Sequence, residues 1–187
     1  MTMLPWQPSA WNLALYQSLH AGQPQGWLIQ TAAVASEAPL WLVIALAGWR
    51  LRARYRTLAL ALTTIALCIA VEAAIGWVHP YPRPFAAGFG PAWVHHAANN
   101  AFPSTHVSIA MALTLVLGLH GERAAAFGSL ALALMMGWAR IYVGIHWPAD
   151  VLGAVLLATL CVLLGETAFS LLVPAPRRLS HLPIDDL

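Results

Sequence analysis

The chain has 187 residues, of which 60% are apolar and 9% charged, whereas a soluble globular domain carries about 25% charged residues. All nine basic residues are arginine. This composition excludes a disordered chain, a nucleic-acid binder with a basic face and almost any soluble enzyme. It points to a single membrane-embedded domain in which each charge was retained for a reason.

The first apolar stretch, Trp11–His20, is short and carries Asn12 and Gln17, which predicts a helix lying on the membrane surface. No basic residue precedes Arg50, so the basic region of a cleaved signal peptide is not expected. A bilayer core takes about 20 apolar residues of helix. Segments 27–49, 57–77, 104–120, 123–142 and 147–173 are read as spans. Trp27, Trp49, Trp77 and Trp147 sit at span ends, as an interfacial aromatic belt requires. The expected fold is all-α and integral to the membrane, with about five transmembrane helices plus the N-terminal interfacial helix. Cys68 and Cys161 fall inside apolar runs and read as core residues. Their spacing suits neither a disulfide framework nor a zinc site.

The arginines predict orientation. Arg50, Arg52, Arg54 and Arg56 separate the first two spans, Arg123 separates the third and fourth, and Arg177 and Arg178 follow the fifth. An odd number of spans places all seven on one side, which should be the cytoplasm. The N-terminus is then outside and the C-terminus inside. Arg83 and Arg140 fall on the outer face and need another explanation.

That face collects most of the polar chemistry. Val78–Phe102 holds His79, Arg83, His95, His96, Asn99 and Asn100; Ser104, Thr105 and His106 open the third span. Arg140, His146 and Asp150 bracket the link between the last two spans. Arg83 lies between prolines that fix its backbone, and a guanidinium fork matches phosphate oxygens. Pro103-Ser104-Thr105-His106 reads as a helix start, whose free N–H groups and dipole favour an anion. Pro148 suits the first turn of the last span. Asp150, four residues after His146, can hold one imidazole nitrogen and turn the other outward. A single arginine at a span end is ordinarily an anchor. Single histidines such as His20, His120 and His181 are ordinarily solvated, and the same reading covers His79 and His95. Isolated roles of that kind do not explain why Arg83, His106, Arg140, His146 and Asp150 share one face. Together they describe an anion-handling site.

These segments resemble the signature of the type 2 phosphatidic acid phosphatase superfamily. Arg83-Pro84 matches the end of its first motif, Pro103-Ser104-Thr105-His106 its second, and Arg140, His146 and Asp150 its third. The first motif often begins with a lysine seven residues before the arginine; here that position is Gly76. The usual glycine of the second motif is Thr105. Both departures resemble the undecaprenyl pyrophosphate phosphatase branch, as do the stretches 95–102 and 138–148.

The resemblance implies a phosphotransfer that uses no cofactor and no metal. His146 would attack the terminal phosphorus, Asp150 would hold its tautomer, and His106 would protonate the leaving phosphate and then activate water. Arg83, Arg140, Ser104 and Thr105 would bind the phosphate. His96 or His79 could replace the missing lysine, and Glu72 could position the outer loop or a proton. Glu37 reads as mid-bilayer and Glu166 as near the inner end, depths too different for one shared site. The implied substrate is undecaprenyl pyrophosphate, or another polyprenyl or lipid pyrophosphate. The alternatives are a phosphatase of phosphatidylglycerophosphate, phosphatidic acid or lipid A, a lipid phosphotransferase, and a non-catalytic lipid-binding or transport protein. Partners are membrane lipids and not nucleic acid. The site should face the periplasm from a bacterial inner membrane.

Overall fold

A computed structural model describes residues 7–172. Val173 and the basic and acidic residues beyond it, Arg177, Arg178 and His181 among them, lie outside the described residues. The elements in order are α1 (Ala10–Leu19), α2 (Gly26–Leu51), α3 (Tyr55–Val78), α4 (Thr105–Leu119), α5 (Arg123–Tyr142) and α6 (Pro148–Leu172). No strand occurs among the described residues. The helices α2, α3, α5 and α6 are long and apolar enough to cross a membrane, and α4 is a shorter apolar helix. The protein is thus an all-helical multi-pass membrane protein.

The short helix is the centre of the bundle. It packs against α2, α3, α5 and α6 and buries side chains around its circumference, including Val107, Ala110, Leu113, Val116 and Leu117. Its neighbours turn leucines such as Leu156, Leu160 and Leu164 outward, where lipid replaces water as the solvent. Lipid gives no hydrophobic drive between helices, so close backbone approach has to hold them. Ala154 and Ala158 are fully buried on α6, and a Cβ on Gly137 of α5 would come within 3.0 Å of Val151.

The length of α4 sets the depth of everything attached to it. Fifteen residues span about 22 Å, against roughly 30 Å of hydrocarbon core. Its lower end is level with the arginine loop, where Arg54 donates to the His120 carbonyl at 2.8 Å. The deficit therefore falls at the upper end. Glu72 and Glu37 both reach the first turn of α4, roughly 9 Å below the end of α3 and roughly 16 Å below the start of α2 at 1.5 Å per residue.

Two further elements cover this recess. The outer connection from His79 to Ser104 is tied down by backbone groups: Trp147 Nε1 donates to the Pro82 carbonyl at 2.9 Å and Trp93 N–H to the Val143 carbonyl at 2.9 Å. Helix α1 docks on the same rim. Asn12 Oδ1 accepts the Ala149 N–H at 2.9 Å, satisfying a free donor of the α6 start. The Tyr16 ring packs 4.9 Å from that of Trp147. The opposite side of α1 exposes Trp11 and Leu15, so this helix is amphipathic in its contacts, with one side committed to protein.

Candidate active site

The spacing of Arg140 and His146 is a consequence of how α5 ends. Gly144 has φ +84°, the left-handed conformation that terminates helices and that a Cβ resists. There the chain doubles back, and the N–H groups of Ile145 and His146 both bond the Arg140 carbonyl, at 3.1 and 3.3 Å. A side chain at 144 would also run into the Pro91 carbonyl and His20. Arg140 and His146 are thus pinned to each other by main chain.

The start of α6 fixes the other side of His146. Asp150 Oδ2 accepts the Trp147 N–H at 2.8 Å, half of a capping box. The same oxygen lies 3.1 Å from His146 Nδ1. Nδ1 therefore carries the proton, and Nε2 presents its lone pair. That atom is 3.0 Å from Arg83 Nη1 and 3.3 Å from Ser104 Oγ. His146 and Asp150 are 2% and 0% exposed. Burial, and then Arg140 and Arg83, hold the His146 pKa well below the ordinary histidine value, so the ring is neutral at neutral pH.

Arg83 is held by the outer loop. Its Nε donates to Asn99 Oδ1 at 2.9 Å, its Nη2 to the Asn100 carbonyl at 3.2 Å and its Nη1 to the Ile145 carbonyl at 2.8 Å. Burial, with Arg140 adding repulsion, lowers its pKa to about 10, so it stays charged at neutral pH. Asn99 and Asn100 were not singled out by the sequence reading. Two amides directly before the Pro103 helix start are the signal that marks them.

Arg140 brings in the residue that the depth argument misplaced. Its Nη1 donates to the Ser36 carbonyl at 2.8 Å and to Glu37 Oε1 at 3.1 Å. Glu37 Oε2 lies 2.9 Å from His106 Nε2. The expectation that Glu37 lies at a different depth from Glu72 is corrected, since both reach the first turn of α4, while Glu166 does lie apart. The site is itself sunk to that depth because α4 is short. Pro39 also sits within α2, where it removes a helical N–H and loosens the turn carrying Ser36 and Glu37. His96 completes the ring of groups, with Nε2 3.4 Å from Arg140 Nη2 and its ring 6.5 Å from that of His146. Burial lowers its pKa, with Arg83 and Arg140 acting in the same direction.

Other residues lie elsewhere. His79 is exposed at the end of α3, its ring 6.5 Å from that of Tyr81. Thr105 follows Ser104 by one helical step of about 100° and faces Glu72 on the opposite flank of α4. Glu72 is 7% exposed, and its Oε1 has no hydrogen-bond partner among the described residues. His20 is not simply solvated: it stacks on Tyr16 and lies 3.1 Å from the Pro91 carbonyl. His120 pairs with Glu166 at 2.8 Å at the inner end. The position of the family lysine, Gly76, is filled from outside its own helix by the Asn100 side chain, 3.1 Å from where a Cβ would stand. Among the described residues no group of three or more His, Cys, Asp or Glu side chains is placed to hold one metal ion.

The arrangement is a neutral imidazole nitrogen facing the Arg83 guanidinium and a hydroxyl. Residues 57–171 match the PAP2 superfamily, and the chain belongs to it. It is a membrane enzyme of the lipid phosphatase class. Over 151 residues it is 29% identical to the putative undecaprenyl-diphosphatase YbjG of Escherichia coli strain K12, spanning 78% of this chain and 76% of that protein. Over 77 residues it is 38% identical to the undecaprenyl-diphosphatase BcrC of Bacillus subtilis strain 168, spanning 41% and 39%. Among solved structures it is similar to Aquifex aeolicus LpxE, with TM-score 0.72 and 19% identity over 84% of this chain and 96% of that one. The transmembrane PAP2-type phosphatidylglycerolphosphate phosphatase of Bacillus subtilis gives TM-score 0.67 and 19% identity over 89% and 88%. These two establish a shared fold.

Proposed function

We propose that this enzyme removes the terminal phosphate of undecaprenyl pyrophosphate and releases undecaprenyl phosphate, the carrier lipid for cell-wall sugars. The observation that carries the chemistry is the environment of His146 Nε2, a lone pair aimed between Arg83 and Ser104 while Asp150 holds Nδ1. Nε2 attacks the terminal phosphorus, the bond to the bridging oxygen breaks, and the lipid phosphate leaves. Arg83, Arg140 and Ser104 stabilise the oxygens of the transferring group. His106 supplies a proton to the leaving oxygen. Water then attacks the phosphohistidine, gives its proton to His106 and regenerates His146 as inorganic phosphate leaves. The chemistry is carried by side chains and calls for no metal.

The choice of substrate rests on the two relatives named as undecaprenyl-diphosphatases. The proposed location is the inner membrane of a bacterium, with the site opening to the periplasm, the N-terminus outside and the C-terminus inside. The arginines between α2 and α3 support that orientation. The test is phosphate release by purified protein in EDTA from undecaprenyl pyrophosphate, phosphatidylglycerophosphate and phosphatidic acid. The pyrophosphate should be preferred, and acid-labile, base-stable phosphate should be trapped on His146. Preference for a glycerolipid would overturn the substrate, and loss of turnover on chelation would overturn the metal-free route.

A further inference from the structure

The two-step mechanism leaves Glu37 without a role, yet its carboxylate joins two of the groups that carry the reaction. One oxygen takes Arg140 Nη1 at 3.1 Å, and the other lies 2.9 Å from His106 Nε2. Arg140 has other support, from the Ser36 carbonyl and from His96, so holding the arginine does not exhaust what Glu37 does. The other carboxylates face elsewhere. Glu72 of α3 lies on the opposite flank of α4 against Thr105 and Ser108. Asp150 of α6 is engaged by His146 and Trp147. Arg140 of α5, His96 of the outer loop and His146 are the basic groups around the ring. Glu37 is thus the carboxylate that meets His106.

We propose that Glu37 is the positioning residue for proton transfer by His106, holding Nε2–H so that Nδ1 exchanges the proton with the substrate. The site then contains two carboxylate–imidazole pairs built in opposite senses. Asp150 takes Nδ1 of His146 and frees Nε2 as nucleophile; Glu37 takes Nε2 of His106 and frees Nδ1 as acid and base. In the first step the Nδ1 proton passes to the leaving oxygen as its bond to phosphorus breaks, and the ring is left neutral with Nε2–H still on Glu37. In the second step Nδ1 takes a proton from the attacking water as the bond between phosphorus and His146 breaks. One proton is given and one recovered per turnover. This proposal rests on the phosphatase reading above and not on which lipid is the substrate.

Leaving-group dependence tests it. An alkyl phosphate expels an alkoxide and needs a proton; nitrophenyl phosphate expels a stable phenolate and does not. The ratio kcat/KM reads steps up to the phosphohistidine. Glu37→Gln should lower it by about 100-fold on a long-chain alkyl phosphate, within the range of general acid–base catalysis. The loss on nitrophenyl phosphate should be about tenfold or less, the remainder reflecting the lost contact to Arg140. His106→Gln should show the same split, and the double variant should be worse than His106→Gln alone by no more than the loss Glu37→Gln shows on nitrophenyl phosphate, because the proton-transfer pathway has been cut once. Glu37→Asp should recover part of the alkyl phosphate rate and serves as the second variant should Glu37→Gln fold poorly. Equal losses on both substrates, additive single effects or no loss would overturn the proposal. A parent protein that releases phosphate neither from these esters nor from undecaprenyl pyrophosphate would overturn the phosphatase reading itself, whereas an active parent without the split overturns this inference alone.

Discussion

At the inner end of α4, His120 meets Glu166 at 2.8 Å, and Arg54 meets Glu122 at 3.1 Å. At its outer end, His106 meets Glu37 at 2.9 Å, and Arg140 meets the same carboxylate at 3.1 Å. Residue types and distances are nearly the same, but the surroundings differ. The inner histidine and Glu166 are 31% and 32% exposed, much as His106 and Glu37 are at 29% and 51%, but Arg50 and Arg54, which share Glu122, are 43% and 49% exposed where Arg140 is 1%. An exposed pair such as His120–Glu166 contributes about 0–1 kcal/mol; with the arginines on buried Glu122 it anchors the ends of α2, α3 and α6 to a shared level. At the outer end Arg140, His146 and Asp150 are essentially enclosed, and Arg140 Nε and Asp150 Oδ1 have no partner among the described residues. Burying charge with donors and acceptors left over is costly. A fold that accepts this cost holds the groups ready for a charge that arrives with a ligand. An ion pair alone therefore does not mark a site in this protein. A cluster of enclosed arginine, histidine and aspartate with unfilled hydrogen-bonding capacity does.

That contrast can be broken in measurable ways. The largest effect should come from His146→Ala, which removes the nucleophile. Turnover should fall roughly 10⁴-fold or more, as when a covalent catalyst is deleted, and no phosphoprotein should be trapped in a quench experiment. Next is Gly144→Ala, which places a Cβ in a left-handed turn against the Pro91 carbonyl. A destabilisation of about 1–3 kcal/mol is expected from strain of this kind, read as a lower thermal midpoint in detergent. Activity should drop with it, because the turn sets the distance from Arg140 to His146.

A smaller and graded effect concerns pH. Neutral His146 is the nucleophile, and its folded pKa lies well below the ordinary value of about 6.5. The acid limb of kcat/KM governed by this group should therefore fall below pH 6.5. The unfolded chain can bind protons that buried His146 and His96 refuse. Their contribution to stability is therefore intact above about pH 6.5 and is lost as pH falls below it. Thermal midpoints between pH 7.5 and 5 would check the sign. The smallest effect belongs to the inner cluster. Glu166→Gln should leave kcat/KM unchanged and move stability by less than about 1 kcal/mol. A catalytic defect in that variant would erase the distinction between the two ends.

Much of this site was legible in residue order. Arg83, His106, Arg140, His146 and Asp150 stand out by type, spacing and shared face, Ser104 through the family motif, and all five expected spans coincide with helices α2 to α6 within a few residues. Glu37 was missed because counting residues from the end of a span assumes that all spans begin at one level, whereas α4 starts well below α2. Thr105 was assigned with Ser104 because both precede His106, yet one helical step turns it to face Glu72. Asn99 and Asn100 were passed over because their task is to hold Arg83, and a supporting amide has no spacing rule of its own. Local periodicity and motif spacing report what lies along one segment. Depth, flank and support depend on how segments are stacked.

Gly76 carries one more consequence. Asn100 is tied down by accepting the Tyr81 N–H at 2.8 Å and by donating to the Phe102 carbonyl, so it has little room to retreat from a side chain grown at position 76. A side chain introduced there alone would press, from its Cβ at 3.1–3.2 Å, on the residue whose carbonyl holds Arg83. A lysine at 76 would therefore act on Arg83 through Asn100, and a smaller residue at 100 is the change that makes room for it. The two positions are thus coupled: a change at 76 reaches Arg83 by way of the Asn100 main chain.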